Sequence, residues 1–421
     1  MGVILCGDGF FIDSQEAEPV LAAASKAGIA ANYLSGTDLM KAARGRVVID
    51  FFGLSEAESR VRCPEAFQWL IDRVRPQRIH SKRASHRRNW WLYGEKRPQM
   101  RRATSHLGSY VVTARTAKHR LFQFVDGRVL AESNVIAIAS DDCFVMGVLS
   151  SRLHIAWSFA AGATLEDRPH YTNSTVFEPF PFPQAEQPVL MRIRDAAREL
   201  DLVRRQRLAA NPGLSLTDTY NVLEKLRRGE ALSPKEILVH EQGLVSVLRE
   251  LHDELDRAVF AAYGWNDLAD KLVGRPGATT PWPEKPPEQA EAEEELLTRL
   301  VALNAERAAE EKRGLVRWLR PEFQNPQGTK PPSQDEIDTD ADEPAPVVAK
   351  LDKKIPWPKS AAEQARAVAD ALVAARCPLT HDELAARFSG KGAWKKRLPP
   401  LLETLVAVGR ARDTGAGFVA A

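Results

Sequence analysis

The sequence predicts an α+β chain in four segments: a mixed α/β unit over residues 1–185, an α-helical unit over 186–324, a Pro-rich acidic linker over 325–358 and a small winged-helix-like unit over 359–421. Three observations carry this reading. Short β-like runs mix with helical stretches only in the first part, apolar residues recur at three and four spacing after about residue 189, and the composition shifts at 275–287 and again at 325–358.

In the first unit the strand candidates are VVIDFF (47–52), SYVVTA (109–114), HRLFQFV (119–125) and NVIAIA (134–139), with a helix over 64–74. The run FEPFPFP (177–183) cannot be regular helix or central strand, because each proline lacks an amide donor, so it marks the exit from that unit. There Asn173 serves the turn leading to the run, and Phe177, Phe180 and Phe182 pack the exit against the helical unit. Three long helical patterns come next: 189–209, 243–265 and 293–319. Leu251, Leu255, Val259 and Phe260 are their expected core.

The run RPGATTPWPEKPP (275–287) reads as a rigid connection, and 325–358 holds seven prolines and the acidic run QDEIDTDADE. After it, a helix over 361–374, a second capped by Thr380, a third over 394–408 and a hairpin turning at 413–415 give the winged-helix order. Lys391, Lys395, Lys396 and Arg397 around the start of the third helix suit phosphates, and such small domains also bind proteins.

The net charge of +2 conceals a segregation. Between residues 73 and 120 lie fourteen Lys and Arg against the single acid Glu95, while 289–295 and 335–343 are acidic. A structural face would interleave acids as ion-pair partners, so the missing acids point to an anionic partner, double-stranded DNA. Within this stretch Trp90, Trp91 and Tyr93 could stack on a base, but adjacent tryptophans point in different directions, which favours core roles for the tryptophans.

Cys6, Cys63, Cys143 and Cys377 lie far apart with no CxxC and no histidine at ligand spacing, so neither a disulfide framework nor a metal site is implied. No run reaches the ~18 apolar residues of a membrane span, and the first residues lack a basic signal-peptide region, so a cytoplasmic protein without membrane attachment is expected. The stretch ILCGDGFF lacks a third glycine at dinucleotide-binding spacing and reads as a plain turn. No P-loop, GxSxG elbow, HExxH or Asn/Asp-Pro-Pro-aromatic tetrapeptide occurs, and His252 with Asp256 reads as a solvated helix face. The residues thus offer no catalytic centre.

NYLSGTDL (32–39), RVVIDFFGLSEAE (46–58), PEAFQWLIDRVRP (64–76), NWWLYGEKRPQMR (89–101), SYVVTARTAKHRLFQF (109–124), MGVLSSRLHIAWSFAAGA (146–163) and HYTNSTVFEPFPFP (170–183) resemble the target-recognition domain of MmeI-like adenine-N6 DNA methyltransferases of restriction-modification type. LTDTYNVLEKLRRGE (216–230), LVSVLRELHDELDRAVFAAYGW (244–265) and LNAERAAEEKRGLVRWLRPEFQ (303–324) are similar to the helical tail of the same enzymes. In that family a catalytic domain precedes the recognition domain, binds S-adenosylmethionine through a glycine-rich loop and carries an Asn-Pro-Pro-Tyr motif.

The resemblance therefore implies the specificity half of such an enzyme, as a split subunit or a truncated reading frame. S-adenosylmethionine belongs to a catalytic part acting in trans, and no cofactor belongs to this chain. Arg87, Arg88, Arg97, Arg101, Arg102, Lys118, His119 and Arg120 are expected to hold phosphates, with Glu166, Arg168 and His170 reaching base edges. For that last loop a surface salt bridge is the competing reading. The functional alternatives are a stand-alone DNA-binding or phage-defence protein without methylation activity and a scaffold that docks protein partners through its charged helices.

Overall fold

The computed structural model describes residues 1–41, 44–165 and 168–313, with 355–358, 364, 367–369, 371–372, 379–389, 394, 398–407, 411–413 and 418–420 of the C-terminal part. The chain divides into two compact units, Met1–Gly328 and Thr329–Ala421, a division close to the start of the expected linker.

The first unit is built on two hydrophobic cores. The first core belongs to residues 3–93, with Leu130 added. Around it lie α1 (Glu18–Ala27), β1 (Ala30–Leu34), β2 (Val47–Ile49), α3 (Glu56–Arg62), α4 (Pro64–Arg73), α5 (Arg75–Arg78), α6 (Ala84–Arg88) and α7 (Pro98–Thr104), while α2 (Gly36–Met40) turns Leu39 and Met40 into the other core. Ser35 with Asp38 and Ser55 with Glu58 form capping boxes that start α2 and α3 by satisfying the free amides of the first turn. Trp90 and Trp91 are buried here, and the Trp91 indole donates to the Leu54 carbonyl at 3.1 Å, so the expected core role holds. Tyr93 is equally buried and donates to the Ile49 carbonyl at 2.7 Å.

The second core contains β3 (Ser109–Ala114), β4 (Gln123–Asp126), β5 (Leu130–Ala131), β6 (Val135–Ile138), α8 (Cys143–Ser150), α9 (Arg152–Ala161), β7 (Ala163–Leu165) and β8 (Arg168–His170). It continues without a break into α10 (Gln187–Ala210), α11 (Leu216–Arg228), α12 (Pro234–Gly243), α13 (Val245–Tyr263), α14 (Asn266–Leu272) and α15 (Pro287–Lys312). An antiparallel sheet of order β4-β3-β6 lies within it, and β5 pairs in parallel with β1 to join the two lobes. The boundary expected at 185 is thus not a boundary between cores. The physical reason sits at Gly147 of α8, where an added Cβ would come within 2.8 Å of Ile193 and 3.1 Å of Ala197 on α10, so the two helices touch backbone to side chain.

The Phe-Pro exit behaves as its sequence requires. Phe180 is buried with its ring 5.2 Å from that of Phe182, and Tyr263 of α13 donates to the Pro181 carbonyl at 2.8 Å. Asn173 opens a π-helical turn, Asn173–Phe177. Leu255, Val259 and Phe260 are fully buried and Leu251 packs against the core.

Three expectations are corrected. Only the end of HRLFQFV is strand, because the Arg120 amide donates to the Thr279 carbonyl at 2.8 Å and its guanidinium takes the carbonyls of Ala114 and Pro169. The 275–287 run is no spacer: Ala278 and Thr279 are buried, and Gly277 and Thr279 donate to the buried Glu224 carboxylate. His252 and Asp256 are buried rather than solvated. The Tyr220 hydroxyl donates to His252 Nε2 at 2.8 Å, and Asp256 accepts the Arg152 amide at 2.8 Å. Among the described residues no group of side chains could hold a metal, and no single helix is long and apolar enough to cross a membrane.

In the C-terminal unit Thr380 caps α16 (His381–Ala386) with a capping box, α17 (Leu398–Ala407) follows, and β11 (Ala411–Asp413) pairs antiparallel with β12 (Phe418–Ala420), as the winged-helix order expects. A parallel pair β9 (Ile355–Pro356) and β10 (Phe388–Ser389) adds to it. Trp357 stacks on Trp394 with ring centroids 4.7 Å apart. Lys391, Lys395, Lys396 and Arg397 lie outside the described residues, as does most of 361–374.

The packing and the buried charges lead to two expected outcomes. Gly147→Ala lowers the stability of the first unit by about 1–3 kcal/mol, read as a shift of the urea midpoint; an unchanged midpoint would show that α8 and α10 can separate. Burial holds the His119 imidazole down to about 4, the His154 imidazole down to about 3 and that of His252 well below its ordinary value, while it pushes the Asp256 carboxyl up to about 6. Between about pH 6.5 and 5 the unfolded chain protonates the three imidazoles and the folded chain does not, so stability falls as pH falls. Asp256 opposes this below its folded value, because there it takes up a proton on folding. Asp256→Asn, which keeps the acceptor for the Arg152 amide, therefore steepens the acid loss and raises stability at pH 7 by on the order of 1–3 kcal/mol in thermal melts.

Candidate nucleic-acid interface

The basic stretch divides into structural and exposed arginines. Arg73 pairs with Glu16 and stacks 3.6 Å over Trp69. Arg78 is buried and donates to the carbonyls of Leu5 and Leu92 at 2.6 and 3.3 Å, with burial lowering its basicity. Arg101 forks the Asp50 carboxylate at 2.6 and 3.3 Å and lies 4.4 Å over the Phe52 ring. The acids missing from the local sequence thus come from elsewhere in the fold. Lys82, Arg83, Arg87, Arg88 and Arg102 remain exposed, Arg87 donating to the Ser81 carbonyl at 2.6 Å. Arg97 stands in the left-handed region at φ 51° and pairs with Glu95 at 2.6 Å.

His119 and Arg120 correct the expectation that they hold phosphate. Both are about 1% exposed. His119 bonds Thr279 Oγ1 and Asn221 Oδ1 at 3.0 Å each, and burial keeps it uncharged. Arg120 donates to Thr113, Ala114 and Pro169, all within the fold. Lys118, their neighbour in the chain, is exposed and donates to Asn221 at 2.7 Å.

The β7–β8 hairpin carries the remaining expected residues. Arg168 is exposed on β8, and Glu166 at the tip lies outside the described residues. His170 is engaged on both ring nitrogens: Arg115 Nε donates to Nε2 at 3.1 Å, and Nδ1 meets Thr116 Oγ1 at 2.9 Å. Partial burial, Arg115 and Arg120 together hold its basicity below the ordinary imidazole value. With both nitrogens used, His170 anchors the hairpin rather than facing a base.

Arg168 and Lys118 meet, across a cleft of about 700 Å³, a second set of cations that the sequence reading missed: Lys41, Arg44 and Arg46. Their signal was present as KAARGR (41–46), three cations without an acid just before the β2 run. Ser35, Thr37, Thr116, Ser133 and Asn134 also line the cleft, as do the carboxylates Asp8 and Glu132.

The glycine loop Cys6–Phe10, whose Cys6, Gly7 and Asp8 line the cleft, is packed as a turn at its second glycine. Asp8–Phe10 is a single 3-10 turn with Phe10 buried, Trp69 donates to the Gly9 carbonyl at 3.0 Å, and a Cβ on Gly9 would meet Arg73 at 2.8 Å. Gly9 serves the close approach of α4, as the plain-turn reading expects.

A family model described as the MmeI target recognition domain matches residues 4–184. No curated protein matches the chain. A solved structure, the Type IIL restriction-modification enzyme MmeI in complex with DNA, is similar over 73% of this chain at 19% identity with a TM-score of 0.51, a likeness of fold. The match spans 35% of that longer protein. Residues 4–184 thus match the target recognition domain of the MmeI type, and the fold they belong to is similar to that of MmeI.

Proposed function

We propose that this chain is the DNA sequence-recognition portion of a site-specific adenine-N6 DNA methyltransferase of restriction-modification type, with methyl transfer and S-adenosylmethionine binding carried by a separate catalytic part. The observation that carries the reading is the target-recognition-domain match over residues 4–184, a domain whose surface presents Lys82, Arg83, Arg87, Arg88 and Arg102 to solvent. Lys and Arg at a surface gain affinity for nucleic acid through release of condensed counterions, which is independent of sequence. Sequence reading needs a second element that reaches base edges, and the β7–β8 hairpin with Arg168 has the guanidinium fork that pairs with guanine O6 and N7.

The chemistry assigned to this chain is positioning alone. Phosphate contacts fix the register of the duplex, and the hairpin discriminates sites. The continuous core shared by the recognition lobe and α10–α15 supports a rigid brace that would carry the DNA in a fixed orientation toward the catalytic part.

Fluorescence anisotropy of the chain with labelled duplexes against salt, with and without S-adenosylmethionine, tests this. The expected result is affinity that falls steeply with salt and ignores the cofactor; no affinity at low salt overturns DNA recognition by this chain. Site-specific adenine methylation restored by adding the catalytic protein, and absent without it, distinguishes the proposed role from a stand-alone DNA-binding or phage-defence protein. In the same assay Arg168→Ala is expected to reduce discrimination between sites by about 1–3 kcal/mol with little change in non-specific affinity. A uniform drop across sequences would assign Arg168 to phosphate.

A further inference from the structure

We infer that the cleft between the two lobes, walled by Lys41, Arg44 and Arg46 on one side and by Lys118 and Arg168 on the other, is the track that seats one sugar-phosphate strand of duplex DNA, with the exposed arginines of 82–102 peripheral to it. This rests on the proposed recognition of DNA and goes further by naming the surface.

Convergence is the first argument. The five cations come from two lobes with separate cores, and the fold brings them to one concave surface beside two carboxylates, Asp8 and Glu132. Concave basic surfaces concentrate field lines and attract polyanions more strongly than a convex surface of equal charge.

Fixed geometry is the second. Arg44 is forked by Asp38, Nε to Oδ1 at 2.7 Å and Nη2 to Oδ2 at 3.2 Å, with Nη2 also on Ser35 Oγ at 3.0 Å; Nη1 takes no part in that fork. The Arg44 side chain is still 51% exposed. Arg46 stacks 3.3 Å over the Phe11 ring and pairs with Asp13 at 3.4 Å, and Lys118 is held by Asn221. Cations held in this way lose little rotamer entropy on meeting a phosphate. Arg87, by contrast, donates to carbonyls of its own loop from the five-residue α6.

Size and lining set the ligand. A cleft of about 700 Å³ has room for a short stretch of one sugar-phosphate strand. The hydroxyl and amide side chains Thr37, Thr116, Ser133 and Asn134 are groups that donate to phosphate and sugar oxygens, while the Ser35 hydroxyl is spent on Asp38. Arg168 on the same wall would let the hairpin read the groove beside the seated strand.

The test compares the full chain carrying Lys41→Gln, Arg44→Gln and Arg46→Gln with one carrying Arg87→Gln, Arg88→Gln and Arg102→Gln, by anisotropy against salt. The cleft variant is expected to lose about two to three units of the salt slope and at least ten-fold in affinity, and the peripheral variant to lose less than one unit. The reverse ranking overturns the cleft while leaving DNA recognition intact; absence of binding by the unaltered chain overturns recognition itself. If the triple cleft variant fails to fold, Lys41→Gln alone, at an exposed position, must still reduce the slope by about one unit, and Arg44→Lys with Arg46→Lys must keep it. No change in the first or a loss in the second sinks the proposal.

Discussion

Arg120, Arg152 and Arg204 are almost wholly withdrawn from water, and each turns its guanidinium on main-chain carbonyls of a distant segment. Arg120 takes Ala114 and Pro169. Arg152 takes Arg275 and Pro276 at 2.7 and 2.9 Å and pairs with Glu293 at 2.8 Å. Arg204 takes Phe122 at 3.0 Å together with the Tyr220 hydroxyl and His252. Withdrawing a cation from water is costly unless its donors are matched, and burial lowers the basicity of Arg120 to about 10. The return is structural: segments 115–122 and 275–280 run outside any named strand or helix, and planar five-donor forks reach from Arg152 to the carbonyls of 275 and 276, from Arg204 to that of 122, and from Arg120 to those at the end of β3 and within β8.

The rest of the molecule depends on this arrangement. Because Arg120 holds Pro169 while Arg115 and Thr116 hold His170, the base of the β7–β8 hairpin is fixed to the end of β3, and Arg168 is delivered to the cleft wall. Because Arg152 and Glu224 hold 275–280, the Pro-rich run is bound down against α9 and α11, and α15 returns to the same core. The sheet β4-β3-β6 and the helices α8–α15 therefore share one packed core. His252, uncharged in the middle of α13, is the acceptor that completes the Arg204 and Tyr220 network.

Periodicity and turn chemistry settled much in advance. The α+β class, the strands at 47–49, 109–114 and 135–138, the long helices, the Phe-Pro exit, the Thr380 cap and the C-terminal hairpin follow from residue spacing, proline's missing amide and local capping. The resemblance to a target-recognition domain was also legible, because ordered motifs along a chain persist where overall identity is low. Local sequence could not say which arginines are structural. Arg78, Arg101 and Arg120 sit in the same acid-poor stretch as Arg88 and Arg102, and Arg101's partner Asp50 lies 51 residues away.

Sequence alone thus determined the elements, their order and the excess of positive charge, since these depend on neighbours within a few residues. Tertiary structure decided the rest: that the core passes through residue 185 unbroken, that 275–280 is bound down, that His119 and Arg120 are interior, and that Lys41, Arg44 and Arg46 face Lys118 and Arg168 across one cleft. Long-range pairing between charges, and burial of a charge against distant carbonyls, leave no periodic trace in the chain, because each depends on where remote segments meet.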